Sequence, residues 1–399
     1  MVKGYFTFVL HSHLPWVINH GRWPHGTDWL NEAAVECYLP ILNYLNRLVD
    51  EGHEPGLIIG LTPILQEQLK CPAFPTEINY YFDNKIDAAQ EDIKEFERTG
   101  QKHFLSTAKM WLEYYQAIKN DFNERYHKDI VNAFKNLQQQ TSVEIITSAA
   151  THGYLPLLKF DRSVNAQIKL GQSVYQKNFS RPATGIWLPE CAYRPAYQWK
   201  TPVGNDENLY QRKSVDEIVS QNGLKYFIID SHLLKGGTAI GVYLARFKEL
   251  RRLWQQFRKE FHEIKQDFIK TPHDIYLVAS NPNINPVALF VRDPTTALQV
   301  WSGELGYPGD GCYLDFHKKK FPGGLRYWRV TNPKIDLALK QPYDPEEIER
   351  RVTEHARHFV QLLLSISHQY YNENKKPAFI CTPFDTELFG HWWFEGPRW

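Results

Sequence analysis

Two carboxylates stand out for what precedes them. Glu190 closes the apolar run TGIWLPE (184–190), and Asp385 closes AFICTPFD (378–385). A carboxylate at the end of an apolar strand needs a cleft or a partner, because burying it alone is costly. Two such groups at the mouth of one barrel are the equipment of glycoside chemistry. One attacks or stabilises the sugar cation, and the other gives and takes the leaving-group proton. Glu190 is flanked by Trp187 and Tyr193. A salt bridge to its neighbour Arg194 is the purely structural alternative.

Other strand ends carry further candidates. His11-Ser12-His13 follows an apolar run, and strand alternation sends both imidazoles to the same side. They can be metal ligands, substrate donors or structural histidines. A zinc site wants further protein ligands, which His152 or the Asp230-Ser231-His232 triplet can supply. Asp293, after Arg292, ends another run and either hydrogen-bonds substrate hydroxyls or buttresses an arginine. Trp301, Trp392 and Trp393 stack on sugar faces or belong to the core.

Positioning these groups requires strands that end together. Seven short apolar runs recur, at 5–13, 56–63, 143–152, 184–190, 225–232, 287–293 and 378–385. They do not alternate, which suits strands buried on both faces. Helical stretches lie between them. Residues 28–51 carry an apolar face, with Asp28 as N-cap and Gly52 just past the end. Residues 344–372 open with Asp344-Pro345-Glu346-Glu347, an N-cap followed by proline at the first helical position. Alternating strands and helices imply a parallel sheet, and chemistry at the strand ends implies an α/β barrel. Segment 75–141 reads as an all-helical insertion. Segment 246–270 reads as a second, basic one, whose stripe from Phe247 to Ile264 packs on the barrel.

Composition narrows the function. Lys+Arg 46 against Asp+Glu 45 leaves a formal net charge of +1 in 399 residues, which argues against a nucleic-acid surface. No apolar run approaches the roughly 20 residues of a membrane span. The N-terminal run is short and meets two histidines at once, so it reads as a buried first strand rather than a signal peptide. Five scattered cysteines without a CxxC pattern give neither a disulfide framework nor a zinc ribbon, and a cytoplasmic protein is expected.

HSHLP (11–15), GLTPIL (60–65), GIWLPECAYRP (185–195), RDPTTALQVWS (292–302) with GYPGDGCYLDFH (306–317), and FDTELFGHWWFEG (384–396) stand in order along the chain. Together with GRWPHGTDWLNEA (21–33), they resemble glycoside hydrolase family 57, and within it the 1,4-α-glucan branching enzymes. The resemblance runs from residue 5 to the end. It implies a (β/α)7 barrel over 1–399, with a loop and helix insertion at 235–280 over the active site. It implies no metal or other cofactor, and α-glucans such as amylose or glycogen as partners. Glu190 matches the family's nucleophile and Asp385 its general acid/base. His11, His13, Trp23, His152, Asp293 and Trp301 match positions expected to line the subsites, with Trp187 beside them. Tyr243 matches a tyrosine on a mobile loop that favours transfer over hydrolysis.

The implied mechanism is a retaining double displacement, with the two carboxyl groups roughly 5–5.5 Å apart. Alternatives stay open: a 4-α-glucanotransferase or α-amylase of the same family, a glucan-binding remnant, or a metal-dependent deacetylase-like hydrolase using His11, His13 and Asp230. The branching enzymes of the family continue into a C-terminal helical domain. This sequence stops at Trp399, so that domain is expected to be absent.

Overall fold

The computed structural model describes residues 2–200, 209–235, 270–303 and 306–399. Tyr243 and nearly all of the 246–270 stretch lie outside the described residues. The described strands are β1 (Gly4–Ser12), β2 (Ile58–Leu61), β3 (Glu144–Ser148), β4 (Gly185–Trp187), β5 (Tyr197–Trp199), β6 (Tyr210–Arg212), β7 (Tyr226–Ile229), β8 (Tyr276–Val278), β9 (Val287–Val291) and β10 (Ala378–Asp385). The described helices are α1 (Thr27–Ala33), α2 (Leu39–Asp50), α3 (Pro63–Leu69), α4 (Phe74–Thr99), α5 (Lys102–Asn120), α6 (Ile130–Gln140), α7 (Asp161–Phe179), α8 (Val215–Gln221), α9 (Pro294–Trp301) and α10 (Ile348–Asn374).

The main sheet runs β10-β1-β2-β3-β4-β7-β9, all parallel, with β8 antiparallel on β9. These seven parallel strands coincide with the seven apolar runs. The sheet curls until β9 meets β10 through a bridge between Arg292 and Cys381, where the Asp293 amide donates to the Cys381 carbonyl at 2.9 Å. Below that bridge the two strands diverge, and the chain leading to β8 fills the gap: Phe379 N–H donates to His273 O at 2.9 Å. The result is the seven-stranded (β/α) barrel, with all parallel strands ending on one side. β4 and β7 are buried throughout, as their apolar runs require. β1 departs from expectation. Only its second half is buried, and Tyr5 and Phe6 near its start are 53% and 37% exposed.

The helix expected over 28–51 has a different local structure. It starts at Thr27 with Gly26 as N-cap, so Asp28 lies in the first turn instead of capping it. Gly52 follows the C-terminus with φ +83°, as a residue past a helix end should. Between α1 and α2 the winding widens to a π turn at Ala34–Tyr38, which turns Glu36, Cys37 and Tyr38 inward. Gly390 presses against this turn with φ +112°, and a Cβ there would lie 1.7 Å from the Glu36 carbonyl oxygen. Only glycine fits that approach. Asp344 caps as its sequence suggests, accepting from the Glu346 amide at 3.0 Å.

The chain between β2 and β3 is helical, and α4 and α5 pair as a hairpin turned at Gly100, φ +69°. α10 lies across β1 and β10, where Phe359 stacks on Phe8 at 5.8 Å. Trp399 returns to this seam, 4.9 Å from the Phe359 ring. No described helix is long and apolar enough to cross a membrane.

Candidate active site

Parallel pairing sets the site. In register, His11 faces Asp385 on β10 and Gly60 on β2, so the end of β1 carries its first histidine directly beside the carboxylate. Gly60 leaves room for the ring, since a Cβ there would lie 3.2 Å from His11 Nδ1. The loops after β3 and β4 bring His152 and Glu190 to the same mouth. His11 Nε2 lies 3.3 Å from His152 Nε2, and His152 Nε2 lies 3.8 Å from Glu190 Oε1.

The histidines form a stacked wall. The Trp187 and His11 rings are 4.6 Å apart, those of His11 and His152 4.8 Å, and those of His152 and His13 4.0 Å. Burial depresses all of them. His11 falls well below the usual histidine value, further lowered by its two neighbours, His13 falls to about 4, and His152 to about 3. The wall is therefore neutral near pH 7.

Hydrogen bonds assign the tautomers. Ser148 Oγ donates to the Trp187 carbonyl at 2.8 Å, so its lone pair accepts from His152 Nδ1–H at 3.1 Å. His152 Nε2 is then an acceptor that His11 Nε2–H fills. This leaves the buried His11 Nδ1 as an acceptor, in keeping with its having no hydrogen-bond partner among the described residues. His13 Nδ1 meets Thr62 Oγ1 at 3.3 Å, anchored from the end of β2.

Glu190 owes its exposure to an unusual turn. Its backbone is left-handed (φ 59°, ψ 25°), and Cys191 follows at φ 53°. Each such non-glycine residue costs about 1–2 kcal/mol, a strain typical of functional turns. The turn leaves the Glu190 side chain 72% exposed. The alternative pairing with Arg194 does not form. Arg194 instead donates to Asp161 Oδ1 at 2.9 Å and to the Lys213 carbonyl.

Asp385 occupies the opposite rim. It stays open to solvent on one side but is crowded by protein on the others, and this desolvation pushes its carboxyl up to about 6. Arg292 pulls it down and the Glu190 charge pushes it up, so the Asp385 carboxyl feels Glu190 across the mouth. Arg292 Nη1 is also 3.4 Å from Asp230 Oδ2. Asp230 is held at about 2 by a hydrogen bond from His232 and by the Arg292 charge. It thus serves a cation and a local histidine. Among the described residues it forms no ligand cluster with His11 and His13. The one compact group of three potential ligands among the described residues, Glu32, Glu36 and His391, already faces Arg326 and Lys319, which supply its positive charge.

Three expected substrate contacts are corrected. His11 is 3% exposed, turns Nδ1 toward Gly60 and spends Nε2 on His152, so it orients the wall and does not itself reach a ligand. Trp187 is 3% exposed, so it backs His11 from the core and offers no face to a ligand. Asp293 is 1% exposed and fully engaged: it accepts from Thr296 N and Oγ1, each at 2.7 Å, and pairs with His273 at 2.9 Å. It caps α9 rather than reaching for hydroxyls. Trp23 and Trp301 keep 78% and 41% of their surface exposed. Trp393 is core, whereas Trp392 is half exposed.

Sequence reasoning passed over Ser148, Thr62 and Glu387. Glu387 accepts from the His13 amide at 3.2 Å and from the Tyr38 hydroxyl at 2.5 Å, tying β10 to β1 and to the π turn. Burial pushes its carboxyl up to about 8. Its place two residues after Asp385 was a visible signal, but Tyr38 as partner was not.

Residues 7–375 match glycosyl hydrolase family 57. The chain belongs to this family. The 1,4-alpha-glucan branching enzyme of Thermococcus kodakarensis is 39% identical over the whole chain, which covers 54% of that protein. The family 57 chain therefore spans about half the length of this curated relative. The crystal structure of a branching enzyme from that organism, in complex with glucose, superposes with a TM-score of 0.87 at 40% identity, covering 100% of this chain and 67% of the other. An α-amylase structure from Thermotoga maritima gives 0.79 at 28% identity, covering 99% and 70%.

Proposed function

We propose that this family 57 chain carries the chemistry of a 1,4-α-glucan branching enzyme. It cleaves an α-1,4 bond and transfers the released chain to a 6-hydroxyl. The observation that carries the reading is that Glu190 stands beside His152 and Asp385 beside His11 at one histidine-walled mouth, where the Glu190 charge helps to raise the Asp385 carboxyl. Similarity along the whole of this chain, which covers 54% of the Thermococcus kodakarensis branching enzyme, supports the choice of transfer chemistry.

Glu190, lifted into the open by its left-handed turn, attacks the anomeric carbon while Asp385 protonates the departing chain. A glycosyl ester on Glu190 results, and the carboxylate of Asp385 then takes the proton of the incoming 6-hydroxyl as the new bond forms. A carboxyl near 6 holds and releases a proton near neutrality, as both half-reactions require. The neutral imidazole of His13, less buried than that of His11, meets sugar hydroxyls without a competing charge, while His11 and His152 are held to each other by a hydrogen bond. Trp23 and Trp301 supply exposed rings for stacking.

Incubation with amylose, followed by proton NMR and debranched chain-length profiling, tests this. New α-1,6 linkages are expected, and Glu190→Gln abolishes them while glucan binding persists. Reducing ends appearing without new branches would instead favour α-amylase action, the reading to which the Thermotoga maritima structure lends weight.

A further inference from the structure

Arg292 stands where β7, β9 and β10 meet. Its amide donates to the Ile229 carbonyl at 3.0 Å, and the residue bridges to Cys381. Strand alternation sets which way it points. Ala288 and Phe290 on β9, Tyr226 and Ile228 on β7 and Cys381 on β10 belong to one packed cluster. Arg292 and Asp230 follow two residues after Phe290 and Ile228 on the same faces, and Asp385 follows four after Cys381. Ile229 pairs with Val291, which sets Asp230 abreast of Arg292. The guanidinium therefore rises out of that cluster toward Asp385, with Asp230 beside it.

The two oxygens of Asp230 are divided between two tasks. Oδ1 lies 3.3 Å from His232 Nδ1 and accepts from Ser231 Oγ at 3.4 Å, which fixes the carboxylate to the turn after β7. Oδ2 lies 3.4 Å from Arg292 Nη1. At its other corner the buried Arg292 Nε has no hydrogen-bond partner among the described residues. A guanidinium tethered at one corner turns toward another carboxylate once the tether is cut, and Asp385 already feels its charge. Other groups around Asp385 are uncharged near pH 6. Burial pushes the His11 imidazole down, and it pushes the Cys191 thiol and the Glu387 carboxyl up. Charge reaches Asp385 from Arg292 on β9 and from Glu190 on the loop after β4.

We propose that Asp230 is a positioning residue for the transfer reaction: it holds Arg292 aside from Asp385, so that the acid/base carboxyl stays free to carry a proton. The assignment rests on the reading of Asp385 given above. Asp230 touches no reacting atom in it and acts only through the guanidinium.

Asp230→Asn keeps the shape of the tether and removes its charge. Arg292 then pairs with Asp385 and stabilises its carboxylate, so the falling limb of the pH–rate profile on amylose should move down by about one unit. Turnover of amylose near neutrality should fall by about 10-fold, whereas consumption of a maltosyl fluoride, whose leaving group needs no proton, should fall much less. Asp230→Glu, which keeps the charge, should recover most of the shift, and Arg292→Met added to Asp230→Asn should undo it. If the asparagine variant melts below the assay temperature, Asp230→Ser supplies the same loss of charge. Equal losses on both substrates with the limb in place would make Asp230 merely structural and overturn the proposal. NMR of isotopically labelled aspartate, with the Asp385 carboxyl assigned by its loss in Asp385→Asn, follows the same titration without turnover. A carboxyl that shifts down there while the rate limb stays put keeps Asp230 as the holder of Arg292 and sinks the acid/base reading of Asp385.

Discussion

Asp385 sits between opposed influences, and their balance makes the site testable. Desolvation and the Glu190 charge raise its carboxyl to about 6, and the Arg292 guanidinium restrains that rise. As the proposed acid it must be protonated to expel the leaving chain, so kcat/KM for the donor falls as pH rises through about 6. Arg292→Met removes the restraint. The falling limb should then move to higher pH by about one unit in a pH–rate profile, and a limb that stays in place or moves down contradicts the assignment. Much of this was legible in the sequence, since Glu190, Asp385 and the His11/His13 pair all end apolar runs. The signature Asp-Pro points to a helix cap at Asp344 and equally at Asp293, where the cap takes one carboxylate oxygen and His273 the other. Trp187 misled because a ring beside an exposed carboxylate can point to either face of a strand, and here it points inward.

The strands were readable because each apolar run has the length and burial of a barrel strand. The π turn at Ala34–Tyr38 was not, since it depends on the close approach of Gly390 from the other end of the chain. That turn delivers Tyr38 to Glu387, which also holds the amide of His13. Burial raises the Glu387 carboxyl from the ordinary 4.5 to about 8 in the folded protein. A raised pKa means that its contribution to stability is complete below about 4.5 and is lost as pH rises through about 8. Glu387→Gln cannot ionise, so its unfolding free energy by denaturant titration should be flatter across that window than the parent's. An equal slope in both proteins would mean that Glu387 is already charged in the fold.

At the scale of the whole molecule, the helical hairpin braces the loops that carry Trp392 and the end of β10. Trp111 on α5 is fully buried, donates to the Arg326 carbonyl at 2.7 Å and packs 4.9 Å from Phe394. Arg326 in turn pairs with the buried Glu36 at 2.8 Å and donates to the His391 carbonyl at 3.0 Å. Sequence patterning foretold helices in 75–141 but not where they dock, because the partner of Trp111 lies 215 residues away. Trp111→Ala should cost about 3–5 kcal/mol of stability, read as a lowered denaturation midpoint. A loss below about 1 kcal/mol would mean that the hairpin is not a brace.

The most direct test of the central claim is covalent capture. Asp385→Asn, slowed in its second step by about 10²–10⁴-fold, is given a maltosyl fluoride, whose leaving group needs no proton. Peptide mapping by mass spectrometry should find a maltosyl ester on Glu190. An adduct on any other residue, or consumption of the fluoride with no adduct at all, would contradict the pairing of these two carboxylates.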